Sequence, residues 1–126
     1  MYVHLFGSPK DKSLRAIVKD YESRVRGRGI SVKEHQDKSM TNYEESLSRA
    51  GGKLVILDEK GEDLSSSELA NWLNSANLDS EHTNIAVGPS EGFSEEFKSR
   101  ATKSISLSRL TLTHEMAAAV ILEQLY

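Results

Sequence analysis

Residues 84–126, NIAVGPSEGFSEEFKSRATKSISLSRLTLTHEMAAAVILEQLY, decide how this chain folds. They read as a buried strand, a Gly/Pro loop, a short helix, a Ser/Thr/Leu segment and a closing helix. In that last helix Met116, Ala117, Ala118, Ala119, Val120, Ile121, Leu122 and Leu125 leave almost no polar face. A helix apolar all round must be covered all round. Its alanines admit another backbone at close range, so the expected covers are the domain's own loops and a second copy of the chain. The apolar run is about half the ~20 residues that a bilayer crossing needs, so no membrane partner is expected.

Upstream of this stretch, short apolar runs alternate with helical patterns. Residues 2–6 are a candidate first strand, and Ser8, Pro9 and Asp11 then read as N-cap, first helical residue and N3 position. Leu14, Ile17, Val18, Tyr21 and Val25 follow at helical spacing until Gly27 and Gly29. Residues 30–35 form a weaker strand. Thr41 with Glu44 reads as a capping box opening a helix that buries Tyr43, Leu47 and Ala50 and ends at Gly51 and Gly52.

Residues 53–57 (KLVIL) are apolar without alternation, as expected of a strand covered on both faces, and residues 58–61 read as its turn. Ser65 with Glu68 makes a second capping box, ahead of Leu69, Trp72, Leu73 and Ala76. Residues 84–87 are the next buried strand, and Ser94 opens a short helix carrying Phe97. This alternation predicts an α/β fold, a parallel sheet with helices on both faces. Ligands of such sheets sit beyond the carboxyl ends of the strands. The loops after Leu57, Val87 and Ile105 are therefore expected to meet at one site.

A length of 126 residues suits a single domain, residues 1–126, with a core that needs no disulfide or metal. Cysteine is absent, which excludes disulfides, thiolate metal sites and a cysteine nucleophile. The first residues, MYVHLFG, lack the basic region and long apolar run of a signal peptide, so the expected location is cytoplasmic. A net charge of −3 argues against gripping nucleic acid by bulk positive potential. Two local basic clusters exist, Arg24, Arg26, Arg28 and Lys33, and Lys98, Arg100, Lys103 and Arg109, each read first as a solvated face.

No G-x-G-x-x-G follows the first strand, and there is no P-loop and no G-x-S-x-G elbow. His4, His35, His82 and His114 do not fall at metal-ligand spacing, so no metal is expected. His114 stands near the start of the closing helix, open to either a capping or a catalytic role.

The runs LDEKGEDLSSSELA, VGPSEGFSEE, SISLSRLTLTH and ILEQLY together resemble the 23S ribosomal RNA pseudouridine-N3 methyltransferase family of the SPOUT superfamily. The similarity spans nearly the whole chain and is strongest from Leu57 onward. It implies an α/β fold whose C-terminal part forms a deep trefoil knot, with S-adenosylmethionine bound in the knot loops and a homodimer pairing the C-terminal helices. By position, the implied cofactor contacts are Leu57, Gly88, Leu107, Ser108, Arg109, Leu110, Thr111 and Leu112. His114 is the nearest candidate to assist proton removal, and 23S rRNA in the ribosome is the implied substrate.

The chain departs from the family pattern at Pro89, where a second glycine is usual, at Thr113, where proline is usual, and at Ala118, where arginine is usual. It also ends at Tyr126, where relatives continue through a tail. Two alternatives therefore stand beside the methyltransferase. One is a divergent homologue that binds S-adenosylmethionine or rRNA without efficient methyl transfer. The other is a flavodoxin-like small-ligand module, which does not explain the Leu/Ser/Thr segment.

Overall fold

The computed structural model describes residues 1–36, 39–89 and 92–126. Ser90 and Glu91 of the expected Gly/Pro loop lie outside the described residues. Strands β1 (Tyr2–Phe6), β2 (Ser31–His35), β3 (Lys53–Asp63), β4 (Thr83–Ala86) and β5 (Lys103–Ser106) alternate with helices α1 (Lys12–Arg26), α2 (Met40–Arg49), α3 (Ser66–Leu78), α4 (Glu95–Ser99) and α5 (His114–Leu125). The strands lie in the order β2-β1-β4-β3-β5, and every pairing is parallel.

The side-chain alternation of the strands divides the core in two. Val3 and Leu5 of β1, Val55 of β3 and Ile85 of β4 pack with α1, α3 and α5 on one face of the sheet. Ile56 and Ala86, each the next residue along its strand, pack with Tyr43 and Leu47 of α2 and Phe97 of α4 on the other. The central strand β4 is buried throughout, whereas the edge strand β2 alternates exposed and half-buried residues. This is the expected α/β sheet.

Helix α5 carries Ala118, Ala119, Ile121, Leu122 and Leu125 into the first core. Fully burying a side chain the size of Ile121, Leu122 or Leu125 contributes about 1.5–3 kcal/mol. Its cover is not complete, because Met116 is 41% and Tyr126 49% exposed. Within one chain the helix is covered on the face turned to its own sheet.

Local expectations for three elements are corrected. Helix α1 is capped by Asp11, whose carboxylate accepts from Ser13 N and Leu14 N at 2.9 and 3.0 Å. Pro9 is therefore left in the preceding loop, where its carbonyl accepts from Arg15 Nε at 2.9 Å. Within α1, Ile17 is 43% exposed, because Val18 and Val25 take the buried positions. Helix α2 is capped two residues earlier than Thr41, by Ser39, and begins at Met40. Glu44 serves α4 instead: its carboxylate accepts from both the backbone N and the hydroxyl of Ser94 at 2.8 Å. Ala50 is exposed as the C-cap of α2.

The third correction concerns β3, which runs on past the expected turn to Asp63. Leu57 and Glu62 both stand opposite Ile105 of β5, so residues 58–61 swell out between two stretches of one ladder. Gly61 makes this possible, since a Cβ there would lie 2.8 Å from the Ile105 backbone. The capping box at Ser65 and Glu68 forms as expected, with Ser65 N donating to Glu68 at 2.8 Å and Glu68 N to Ser65 Oγ at 3.1 Å.

Candidate functional site

After edge strand β5 the chain does not stop at the sheet's margin. Residues 107–113 return across the carboxyl ends of β3 and β4 before α5 packs beside α1. The three strand-end loops thereby enclose a cleft of ≈ 230 Å³. The swollen segment of β3 supplies Leu57, Asp58, Glu59 and Lys60, the loop after β4 supplies Val87, Gly88, Pro89 and Gly92, and Lys98 enters from α4. Leu107, Ser108, Leu110, Leu112, His114 and Ala117 form the remaining wall.

Of the residues expected at a cofactor site, Leu57, Gly88, Leu107, Ser108, Leu110 and Leu112 meet here, and so does His114. Arg109 and Thr111 are not among the lining residues. Both are exposed, and the Arg109 guanidinium turns toward Asp63 at 3.7 Å. Ser108 explains the split. Its hydroxyl accepts from Leu110 N and its carbonyl accepts from Ser106 Oγ, both at 3.0 Å, which holds a tight bend with Arg109 at its outer side.

Gly88 lines the cleft and is also packed tightly against the core. A Cβ at this position would meet the ring of Phe93 at 2.9 Å, and Phe93 is buried in the second core. Its neighbour Val87 is fixed from both sides: Val87 N donates to His4 O at 2.9 Å, and the Tyr43 hydroxyl donates to Val87 O at 2.7 Å. Burial pushes the Tyr43 phenol well above its ordinary range, so it remains a donor. The loop is thus hung from the core by Tyr43.

His114 is the first residue of α5, but it does not cap the helix. Thr113 does so, its hydroxyl accepting from Met116 N at 3.2 Å. The imidazole lies between the cleft and a small cavity bounded by Leu5, Phe6, Pro9 and Ala118. Its Nδ1 is buried and has no hydrogen-bond partner among the described residues. Leaving such an atom unpaired costs about 1–3 kcal/mol, which makes it a natural point for a ligand or substrate to complete. Ala118, where the related family usually has arginine, is only 3% exposed in the same wall.

The cleft has a charged side that the sequence reading did not include. Lys98 Nζ lies 3.2 Å from Asp58 Oδ2, the two side chains being 23% and 18% exposed. Burial opposes the Lys98 charge, but the hydrogen bond and charge of Asp58, aided by Glu95, outweigh it and hold the ammonium above the usual lysine value. The signal was present in the chain as an acidic residue directly after the KLVIL strand. Its partner lies on a helix forty residues later, a pairing that only the fold reveals.

Elsewhere the basic clusters are largely compensated. Arg100 pairs with Glu96 at 2.8 Å, Lys103 with Glu62 at 2.7 Å and Arg24 with Asp20 at 3.1 Å. Arg28 and Lys33 instead lie over the rings of Tyr126 and Tyr2. A solvated face describes most of these residues but not Lys98, which is withdrawn into the cleft. Among the described residues no group of three or more His, Asp or Glu side chains is placed to hold a metal ion. Among the described residues no helix is long and apolar enough to cross a membrane.

Comparison with known proteins agrees with this geometry. A protein from Citrifermentans bemidjiense named ribosomal RNA large subunit methyltransferase H is 51% identical over 78 residues, covering 60% of this chain and 50% of that relative. Against it, the chain spans about half the relative's length. Proteins of the same name from Geotalea daltonii and Geotalea uraniireducens are 35% and 33% identical, covering 95% and 100% of this chain and 86% and 90% of theirs. The family model described as "Predicted SPOUT methyltransferase" matches residues 1–126. With a parallel α/β sheet, a cleft at its strand ends and a family match along its whole length, the chain belongs to the SPOUT methyltransferase family.

Proposed function

We propose that this protein is an S-adenosylmethionine-dependent methyltransferase of large-subunit ribosomal RNA, acting on N3 of a pseudouridine in 23S rRNA. The observation that carries this reading is the convergence of Leu57, Gly88, Leu107, Ser108, Leu110 and Leu112 on one cleft at the ends of β3, β4 and β5. Relatives named for methylation of large-subunit rRNA support it. No comparison favours the non-catalytic alternative or the flavodoxin-like one.

The residues present suit the proposed methyl donor. Leu57, Leu107, Leu110 and Leu112 offer apolar walls for an adenine ring, and the cleft's charged side offers partners to polar groups. At ≈ 230 Å³ the cleft is smaller than the ~300–1,000 Å³ usual for small-molecule sites, so part of the ligand would face the RNA. When bound, S-adenosylmethionine supplies an electrophilic methyl group on its sulfonium. The loops hold the reacting groups in line and exclude water, and such positioning carries much of the rate. His114, with its unpartnered Nδ1, is assigned removal of the N3 proton, a role worth about 10²–10⁴-fold when correctly placed.

The same reading includes three features of assembly. Residues 1–126 act as one domain, and residues 107–113 are threaded to form a trefoil knot, which their return across the strand ends would permit. A homodimer forms over residues 115–126, supported by the exposed Met116 of α5 and the half-exposed Tyr126 at its end. Ribosomal RNA as substrate places the protein in the cytoplasm.

The test is calorimetric titration with S-adenosylmethionine, followed by transfer of labelled methyl groups to ribosomes lacking the mark. Binding together with single-site methylation of 23S rRNA is expected. Absence of binding overturns the cofactor assignment, and binding with no transfer to ribosomes overturns the substrate assignment. Sedimentation as a monomer at micromolar concentration would exclude the dimer.

A further inference from the structure

We propose that Lys98 and Asp58 form the recognition element for the zwitterionic amino-acid end of the bound nucleoside, selecting S-adenosylmethionine and its demethylated product over adenosine ligands without that end. The inference rests on the cofactor reading above and assigns residues of the same cleft that the family resemblance did not supply.

Two observations carry it. The first is placement. Asp58 begins the swollen segment of β3, directly after Leu57 of the apolar wall, and Lys98 comes from α4. The pair bridges two elements at the cleft, where both residues are lining groups. The second is burial. The nearby pairs of Arg100 with Glu96 and of Arg109 with Asp63 have both side chains more than half exposed, whereas Lys98 and Asp58 are each less than a quarter exposed. Exposed pairs contribute little to stability. A pair withdrawn from water gives stronger, better-directed hydrogen bonds to a charged ligand.

The dimensions also match. Bond lengths put the ammonium nitrogen and a carboxylate oxygen of an α-amino acid about 3 Å apart. The Nζ to Oδ2 separation is 3.2 Å. An amino-acid end can therefore lie antiparallel beside the pair, its carboxylate on Lys98 and its ammonium on Asp58, without either protein charge losing its partner. Glu59 lies next to Asp58 in the lining and Glu95 lies 3.6 Å from Lys98, so the acidic side has further capacity for the ammonium.

The experiment compares three ligands by calorimetry on the full chain: S-adenosylmethionine, its decarboxylated analogue, and methylthioadenosine, which lacks the whole amino-acid end. The parent protein is expected to bind S-adenosylmethionine about tenfold more tightly than either of the others, a usual return for charge-assisted hydrogen bonds. In the double variant Lys98→Gln/Asp58→Asn, which removes both charges together, that preference should collapse to within about twofold while methylthioadenosine binding is kept. A variant that keeps the full preference overturns the proposal. Should the variant fail to fold, the parent decides: equal affinity for S-adenosylmethionine and its decarboxylated analogue overturns the Lys98 contact while leaving the cofactor reading intact. If the parent binds none of the three ligands, the cofactor reading has failed and this inference falls with it.

Discussion

His4 Nε2 and Asn84 Oδ1 lie 2.8 Å apart in the middle of the sheet, joining β1 to the central strand β4 through buried side chains. The direction of the bond follows from its neighbours. Asn84 Nδ2 donates to Gly51 O at 2.7 Å, so its oxygen faces His4, and His4 Nε2 must carry the proton. His4 Nδ1 is then free to accept from His35 Nε2 at 2.8 Å. The chain of bonds is complete only while His4 is neutral.

Acid should therefore weaken the fold through this network. Burial, with smaller repulsion from His35 and Lys33, holds His4 below the ordinary histidine pKa despite the opposing Asn84 bond, and burial with Lys33 lowers His35 as well. With folded values below the unfolded one, the unfolded chain binds more protons as pH falls. Stability is thus full above the unfolded value, near 6.5, and declines beneath it, by at most about 1.4 kcal/mol per pH unit for each histidine. Denaturant unfolding between pH 7.5 and 5.5 should follow that trend. Imidazole resonances of His4 and His35 titrating at or above 6.5 would contradict it.

Removing the Tyr43 hydroxyl should loosen the cleft without touching it. Tyr43→Phe deletes the bond to Val87 O, next to Gly88, and is expected to cost about 1–3 kcal/mol because a buried carbonyl loses its donor. Thermal or denaturant unfolding measures the loss. A change below about 0.3 kcal/mol would show that the hydroxyl does not secure the loop.

Two glycines should respond in opposite ways to alanine. At Gly61 the new Cβ would overlap the Ile105 backbone, forcing the swollen segment of β3 away from β5, so a loss of about 1–3 kcal/mol is expected. At Gly27 the backbone is right-handed helical (φ −65°) and the nearest atom is 3.5 Å away, so Gly27→Ala should be neutral or stabilising by up to about 1 kcal/mol. Equal destabilisation of both variants would refute the steric account.

Gly88→Ala should reduce cofactor binding indirectly, by displacing the Phe93 ring that lies 2.9 Å from the new Cβ. Trimming the obstacle in Gly88→Ala/Phe93→Leu should then restore part of the affinity lost by the single variant. If the second substitution only deepens the loss, Gly88 acts at the cleft itself and not through Phe93.

Much of this architecture was legible in the chain. The apolar run KLVIL, the Ser65 and Glu68 capping box and the spacing of Val18 and Val25 are local signals, and each forms as read. Caps were misread where several candidates stood close together. Asp11 displaced Ser8 and Ser39 displaced Thr41, because capping depends on where the backbone leaves the extended region, which neighbouring residues alone do not fix. Glu44 was assigned to its own helix but is engaged fifty residues away, at Ser94.

The sequence by itself determined the alternation of strands and helices, hence a parallel sheet whose loops after Leu57, Val87 and Ile105 share one end, since side-chain periodicity and turn residues act over a few positions. Tertiary structure alone decided that Asp58 would meet Lys98, that Arg109 would turn outward while Leu110 lines the cleft, and that His114 Nδ1 would be buried without a partner. Those outcomes depend on how β5, α4 and the returning segment 107–113 are stacked in three dimensions. Contacts between residues distant in the chain are set by that packing, and no local pattern encodes them.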